Sequence, residues 1–235
     1  MRRFEGRHVV VSGAGTGIGA AIAHRQREEG ATVTGLARDA ERLRPNVDRA
    51  IACDIRDEAE VEAAFAQIDA PLYALVANAG IGGENRPGSG DRFADIVQTN
   101  LLGTYRTIRG ALGLGVERIV VTSSILARIG VPHYTGYCAS KAGLLGLVRS
   151  FAAELAPDVS VNAICPGWVA TEMSWEGLDA MGEREQAYSD AMSFVPMGRM
   201  SEPEEIAGTV AWLLSDEAKL VTGQAIDHNG GAWMG

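Results

Sequence analysis

Short apolar runs alternate with longer amphipathic stretches along the whole chain. The runs are 8–13 (HVVVSG), 32–37 (TVTGLA), 50–53 (AIAC), 74–80 (ALVANAG), 118–124 (RIVVTSS), 159–167 (VSVNAICPG) and 225–231 (AIDHNGG). They are rich in β-branched and small residues and most close on Gly or Ser, as strands buried on both faces of a parallel sheet do. Helical periodicity marks 17–29, 57–68, 91–112, 137–156 and 202–214. The first of these opens on glycine and the second carries acids in its first turn. The last has Ser201 as the expected N-cap, Pro203 early, and Glu204 at the reciprocal capping position. Such regular alternation predicts an α/β fold, a doubly wound parallel sheet of about seven strands flanked by helices. With no Pro/Gly/Ser-rich linker and no repeat, residues 1–235 are expected to form a single domain.

Composition narrows the functions open to this fold. The 235 residues are 46% hydrophobic, ample for one core, and carry a formal charge of −9. That balance argues against a nucleic-acid partner, which needs a basic patch to neutralise phosphates. Cys53, Cys138 and Cys165 stand singly, far apart and odd in number, as reduced thiols of a cytoplasmic protein do. The histidines at 8, 24, 133 and 228 form no ligand cluster, so no metal is expected. The apolar run near the N-terminus is too short for a signal peptide or membrane span, which implies a soluble protein with no membrane partner.

The chemistry begins directly after the first strand. Residues 12–19, SGAGTGIG, place Gly13, Gly15, Gly17 and Gly19, with Thr16 and Ile18 between them, at the entry to a helix. Glycines there allow a tight turn and close approach of a pyrophosphate, and the helix N-terminus supplies N–H donors and a positive dipole end. A carboxylate closing the second strand would hold the ribose 2′-hydroxyl of NAD. Here Ala37 closes it and Arg38 follows. A guanidinium there can grip a 2′-phosphate, which favours NADP(H) over NAD(H). Arg38 as a plain surface arginine, and Asp39 as the ribose ligand, are the competing readings.

Tyr137 and Lys141 are four residues apart in a helical pattern and so share a face. An ammonium about 4 Å from a phenol, at an effective dielectric near 20, is worth roughly 4 kcal/mol, or about three pK units. On that geometry Tyr137 is expected to titrate near about 7 and to exchange a proton at neutral pH. Ser124 ends a strand at the carboxyl edge, where open α/β sheets bind ligands. Its hydroxyl can hydrogen-bond a substrate oxygen on which charge develops. The set suits proton transfer to a carbonyl oxygen while a nicotinamide delivers hydride to carbon.

With these residues in place the chain resembles the short-chain dehydrogenase/reductase family along essentially its whole length. The matching pieces are SGAGTGIG (12–19), CDI (53–55), ANAG (77–80), QTNLLG (98–103), SS with YCASK (123–141), NAICPGWVATEM (162–173) and VTGQAIDHNGG (221–231). The resemblance implies a single-domain Rossmann fold and an NAD(P)-dependent oxidoreductase interconverting a ketone and a secondary alcohol. It implies Ser124 as binder of the substrate oxygen, Tyr137 as general acid/base, and Lys141 as its pKa-lowering and ribose-binding partner. Asn100 would hold a water that links the lysine to solvent. Asp54, with Ile55, would contact adenine, and Asn78, Ala79 and Gly80 would line the cofactor cleft. Pro166, Gly167, Val169 and Thr171 would border the nicotinamide. Ser123 is the rival of Ser124, but the family's spacing of thirteen residues before the tyrosine selects Ser124.

Other regions carry weaker expectations. The segment 39–54 (DAERLRPNVDRAIACD) is short, so the helix usual there should be truncated, and GALGLGVERIV (110–120) is rich in glycine. Residues 172–200 form an apolar, methionine-rich lid, with Trp168, Trp175 and Tyr134 expected to touch substrate, and 81–91 form the opposite rim. His228 is expected to serve packing or an interface. An NADPH-dependent ketoreductase is the leading reading. An NAD-dependent alcohol, sugar or dihydrodiol dehydrogenase is the alternative. A non-catalytic dinucleotide-binding regulator and a cofactor-independent lyase are remote, because the glycines, Tyr137 and Lys141 are all present. The family's long helices imply a homo-oligomer, a tetramer before a dimer, with Trp233 and Met234 packed on a partner subunit.

Overall fold

The computed structural model describes residues 2–68, 71–86, 88 and 90–235. Seven strands form one parallel sheet in the order β3-β2-β1-β4-β5-β6-β7. They are β1 (His8–Ser12), β2 (Thr32–Ala37), β3 (Arg49–Ala52), β4 (Ala74–Ala77), β5 (Arg118–Thr122), β6 (Ser160–Pro166) and β7 (Ala225–His228). The helices are α1 (Gly17–Glu28), α2 (Glu58–Phe65), α3 (Phe93–Val97), α4 (Thr104–Leu112), α5 (Thr135–Leu155), α6 (Glu172–Met181), α7 (Arg184–Ser193) and α8 (Pro203–Leu214). The expected doubly wound α/β fold is borne out.

The pleat sends neighbouring residues to opposite faces, so both faces must be apolar. Val10, Leu75, Ile119, Val121 and Val161 pack beneath α2, α4 and α5, together with Phe65, Ile108 and Leu144. Val9, Val11, Val33, Val76, Val120 and Ile164 pack on the other side, with Ile22 of α1 and Ile206 and Val210 of α8. The chain crosses from one side of β1 to the other between β3 and β4. A crevice therefore opens at the carboxyl ends of β1 and β4, where such sheets take their ligands.

The structure revises several boundaries. Strands β1, β4, β5 and β7 end one to three residues earlier than their apolar runs, because the last residues peel away as loops over the crevice. The stretch 91–112 is not one helix: a π-helical turn, Gln98–Gly103, separates α3 from α4. The helix expected to be truncated after β2 is absent: residues 38–48 form turns. Helix α8 is capped by Glu202 and not by Ser201, and its reciprocal partner is Glu205 and not Glu204. Ser201 is pulled back by strand-like pairing with Trp168 and Ala170, which delays the helix by one residue. His228 packs as expected, half-buried with Nδ1 3.0 Å from the Thr209 hydroxyl.

Candidate active site

Strand β5 delivers two serines to the crevice, and the structure separates their tasks. The Ser123 hydroxyl donates to the Lys141 carbonyl at 2.9 Å, fastening the end of β5 to α5. The Ser124 oxygen accepts from Leu126 N at 3.1 Å, which leaves its proton to be donated elsewhere, and it lies beside the Tyr137 phenol. Tyr137 and Lys141 stand one turn apart on α5, with Lys141 Nζ 5.6 Å from the centre of the tyrosine ring.

The expected fall of the Tyr137 pKa does not occur. Burial pushes the phenol up to about 12, while the Ser124 hydroxyl pulls it down. Lys141 is itself buried, which lowers its ammonium from 10.5 to about 8. Its Nζ donates to the Thr122 carbonyl at 2.8 Å and so points along the end of β5. Desolvation is the leading influence on both groups.

Asn100 lies in the π-helical turn with its side chain fully engaged. Its Oδ1 accepts from Ile81 N at 2.8 Å, and its Nδ2 donates to the Ile81 carbonyl at 2.9 Å and to Ser140 Oγ at 3.2 Å. Ser140 Oγ in turn donates to the Tyr137 carbonyl at 2.8 Å. Gly80 passes directly over this pair: a Cβ there would lie 3.0 Å from Asn100 Oδ1 and 3.7 Å from Lys141 Nζ.

The glycine loop fits a dinucleotide cradle. Gly13 has φ +71°, and a Cβ on it would lie 2.8 Å from Ala79 Cα. A Cβ on Gly19 would fall 2.0 Å from the Gly13 carbonyl oxygen, so α1 can enter only on glycine. Thr16 precedes α1 without a side-chain cap, and its first turn holds no acid, so the helix start presents backbone N–H groups and an unneutralised dipole. Asn78 braces the loop from β4, with Nδ2 3.3 Å from the carbonyls of Ser12 and Gly13. Thr171 faces Gly17 across the crevice, 3.0 Å from where its Cβ would be, and Gly167 gives way to Asn229. Gly15 lies beside Arg42, with Ile18 half-buried behind the loop.

At the end of β2, Arg38 is exposed and acts electrostatically on Asp54. Asp39 is committed to its own turn, accepting from Glu41 N at 3.0 Å, with Arg42 Nε 3.7 Å away. Asp54 is held by Arg56, whose Nη2 lies 2.7 Å from its carboxylate, and this keeps its pKa low. Ile55 is buried, with its side chain and its carbonyl oxygen packed against Gly103.

The aromatic residues of the lid pack on one another. Trp175 stacks on Tyr188 with centroids 6.0 Å apart, and the Arg184 guanidinium lies 5.7 Å from its ring. Trp168 joins the same cluster around Leu178 and Met192. Both tryptophans are half-buried against this cluster, and Trp175 also borders an open pocket with Glu172, Glu176 and Arg184. Met173 makes the crossing: its Sδ lies 3.0 Å from where a Cβ of Gly82 would be, joining lid to rim. Positions 87 and 89 of the rim lie outside the described residues. Tyr134 remains at the cleft, edge-on to Tyr137 at 6.4 Å. Val169 is buried, and Pro166 ends β6 beside the crevice.

A family model described as enoyl-(acyl carrier protein) reductase matches residues 13–232. The chain belongs to the short-chain dehydrogenase/reductase family. It is 36% identical to the 3-oxoacyl-(acyl-carrier-protein) reductase FabG of Vibrio harveyi, over 98% of this chain and 99% of that protein. It is 35% identical to a putative ketoacyl reductase of Streptomyces coelicolor, covering 94% and 95%. The crystal structure of a phenylalanine-to-tryptophan variant of actinorhodin polyketide ketoreductase with NADPH superposes with a TM-score of 0.91 at 34% identity, covering 96% of this chain and 97% of that one.

Several supporting residues escaped the sequence reading. Ser12 Oγ accepts from Asn78 N and Ala79 N at 3.0 and 3.1 Å, and Asn46 Nδ2 donates to the Ala14 and Gly15 carbonyls at 3.1 and 3.2 Å. With Ser140 and Arg42, they carry no spacing signature, because contacts between distant segments fix them. Among the described residues, no His/Cys/Asp/Glu cluster could hold a metal, and no helix is long and apolar enough to cross a membrane.

Proposed function

We propose that this protein is an NADPH-dependent ketoreductase that reduces the ketone of a 3-oxoacyl or polyketide-type thioester to a secondary alcohol. The observation that carries the reading is the meeting of Ser124 and Tyr137, backed by buried Lys141, at the crevice beside the uncapped start of α1. The relatives' names, 3-oxoacyl reductases and ketoacyl reductases, supply the substrate class. The whole chain 1–235 serves as the cofactor-binding domain, with 172–200 as its lid.

NADPH would rest with its pyrophosphate on residues 13–19 and its adenine end near Asp54 and Ile55. Arg38 would hold the 2′-phosphate, with Arg42 close by, since Asp39 is used by its own turn. Asn78, Ala79 and Gly80, with Pro166, Gly167, Val169 and Thr171, would border the nicotinamide, which supplies a hydride when bound. The Ser124 hydroxyl then donates to the ketone oxygen and fixes its position. Tyr137 gives the proton that makes this oxygen an alcohol, and its raised pKa keeps that proton in place at neutral pH. Lys141 would stabilise the resulting phenolate, and Asn100 would hold a water through which the proton returns from solvent. Tyr134 and Met173 would shape the substrate's path. The setting fits a cytoplasmic homo-oligomer, a tetramer before a dimer.

The test pairs turnover with binding. Wild-type protein should oxidise NADPH with the acetoacetyl thioester of N-acetylcysteamine and bind NADPH more tightly than NADH. Tyr137→Phe should lower kcat by about 10³-fold or more, because it removes the proton donor, while the NADPH Kd stays within about threefold. An active phenylalanine variant would overturn the mechanism, and a preference for NADH would overturn the cofactor reading.

A further inference from the structure

The loop leaving β4 does more than form a rim. Asn85, 6% exposed, reaches from this loop to the first turn of α5. Its Oδ1 accepts from Gly136 N at 2.8 Å. The Thr135 hydroxyl lies 2.9 Å from its Nδ2 and 3.2 Å from its Oδ1. Nδ2 also donates to Asp91 Oδ1 at 3.2 Å, and the Asn85 backbone N donates to the His133 carbonyl at 2.7 Å. His133 is held at φ 65°, a left-handed conformation that a side chain adopts only when its surroundings impose it.

This clasp stands where α5 lacks a cap of its own. Tyr134, the N-cap residue, makes no side-chain cap bond, so the orphan N–H of Gly136 depends on Asn85 from 51 residues away. Gly136 admits the contact: a Cβ there would lie 3.2 Å from Asn85 Oδ1 and 3.1 Å from Phe93 Cα. The next residue is Tyr137. Its hydroxyl must meet the same substrate oxygen as Ser124, which is anchored separately through Leu126. Two hydroxyls on different elements stay in register only if each element is fixed.

We propose that Asn85 is a positioning residue, which sets the first turn of α5 and thereby the place of the Tyr137 hydroxyl relative to Ser124. The proposal rests on the reading of Tyr137 as proton donor. Asn85 touches neither substrate nor cofactor and acts only through Gly136 and the 133–136 turn.

The test is an exchange of partners. Asn85→Ala should lower kcat by about 10- to 100-fold, as a displacement near 1 Å does, with NADPH Kd within about twofold. Hydrogen exchange of the Gly136–Cys138 amides should quicken by about tenfold or more. The double variant Asn85→Asp with Asp91→Asn keeps an acceptor for Gly136 N and removes the facing carboxylates. The new amide at position 91 turns its Nδ2 to the new carboxylate at position 85 and gives up the bond that Asp91 Oδ1 accepts from Phe93 N at 2.9 Å. It should recover kcat and amide protection to within about threefold of wild type. Should Asn85→Ala not fold, Asn85→Asp alone serves as the impaired form, since it sets two carboxylates together. Unchanged kcat in Asn85→Ala, or a folded double variant as impaired as the single one, would overturn the proposal. Tyr137→Phe run alongside separates the two readings: if it stays active the proton-donor reading falls, whereas if it is inactive and Asn85→Ala is not, only the positioning role falls.

Discussion

Lys141 shows how much a single residue gives up in stability to serve this site. Folding buries an ammonium whose hydrogen-bond partner is the neutral Thr122 carbonyl, and its pKa falls from 10.5 to about 8. The unfolded chain therefore holds this proton more tightly, and between those values it binds more protons than the native state. Stability must then rise with pH across that window and is poorest, on this account, below about pH 8. The displacement corresponds to roughly 3 kcal/mol at neutral pH. Lys141→Met removes the ammonium but also a hydrogen bond worth about 1 kcal/mol. We expect this variant to be inactive yet no less stable than wild type in urea at about pH 7. Its advantage should shrink by about 2 kcal/mol when both proteins are compared again at about pH 9.5, where native Lys141 is already neutral. A pH-independent difference would mean that the ammonium is not desolvated.

Elements were legible in the sequence where burial alone decides them. The Val-rich runs of β1, β4 and β5 named their strands, and the glycine loop and the Tyr137–Lys141 spacing named the site. What could not be read depends on contacts between distant segments: the π-helical turn at Gln98–Gly103, the capping of α8 by Glu202, and the Trp175–Tyr188 stack within the lid. The raised Tyr137 pKa belongs here too, because spacing sets the distance to Lys141 but says nothing of desolvation. The glycines before β5 make the same point. Gly110 lies inside α4, where replacement by alanine normally adds about 1 kcal/mol of helix stability. A Cβ there would lie 2.5 Å from the Phe65 ring of α2, so the glycine is a packing requirement. Gly110→Ala should therefore destabilise by about 1–3 kcal/mol in thermal or urea unfolding, while the NADPH Kd stays unchanged. A stabilised variant would show that α2 and α4 pack more loosely than this contact demands.

At the scale of the whole molecule, one helical face lacks a partner within the chain. Leu102 and Tyr105 of the π-turn and α4 are 41% and 37% exposed, beside a face where apolar and charged side chains of α4 and α5 mix. Tyr105 stacks on Phe151 at 6.1 Å, and a groove beside them is lined by Leu112, Leu147 and the oppositely charged Arg109 and Glu154. Opposite charges on one groove suit a two-fold contact, in which each copy offers the acid to the other's base. The C-terminal tail is less available than its sequence suggested. Trp233 lies under Arg128 of its own chain at 4.8 Å, and only Met234, 80% exposed, is left to reach outward. The α4–α5 face is therefore the better candidate for the subunit contact of the homo-oligomer we propose. Changing Leu102→Glu and Tyr105→Glu together places four like charges across a two-fold interface there, at a cost that apolar burial cannot recover. Sedimentation velocity should show the mass of the assembly halved or reduced to the single chain, with an unchanged far-ultraviolet circular dichroism spectrum. Because Tyr137 and Lys141 lie on the same helix as Phe151, separated copies should also lose some protection of α5 amides against hydrogen exchange. An assembly that survives both changes intact would place the contact on another surface, with the β7 edge and exposed Met234 next to be tested.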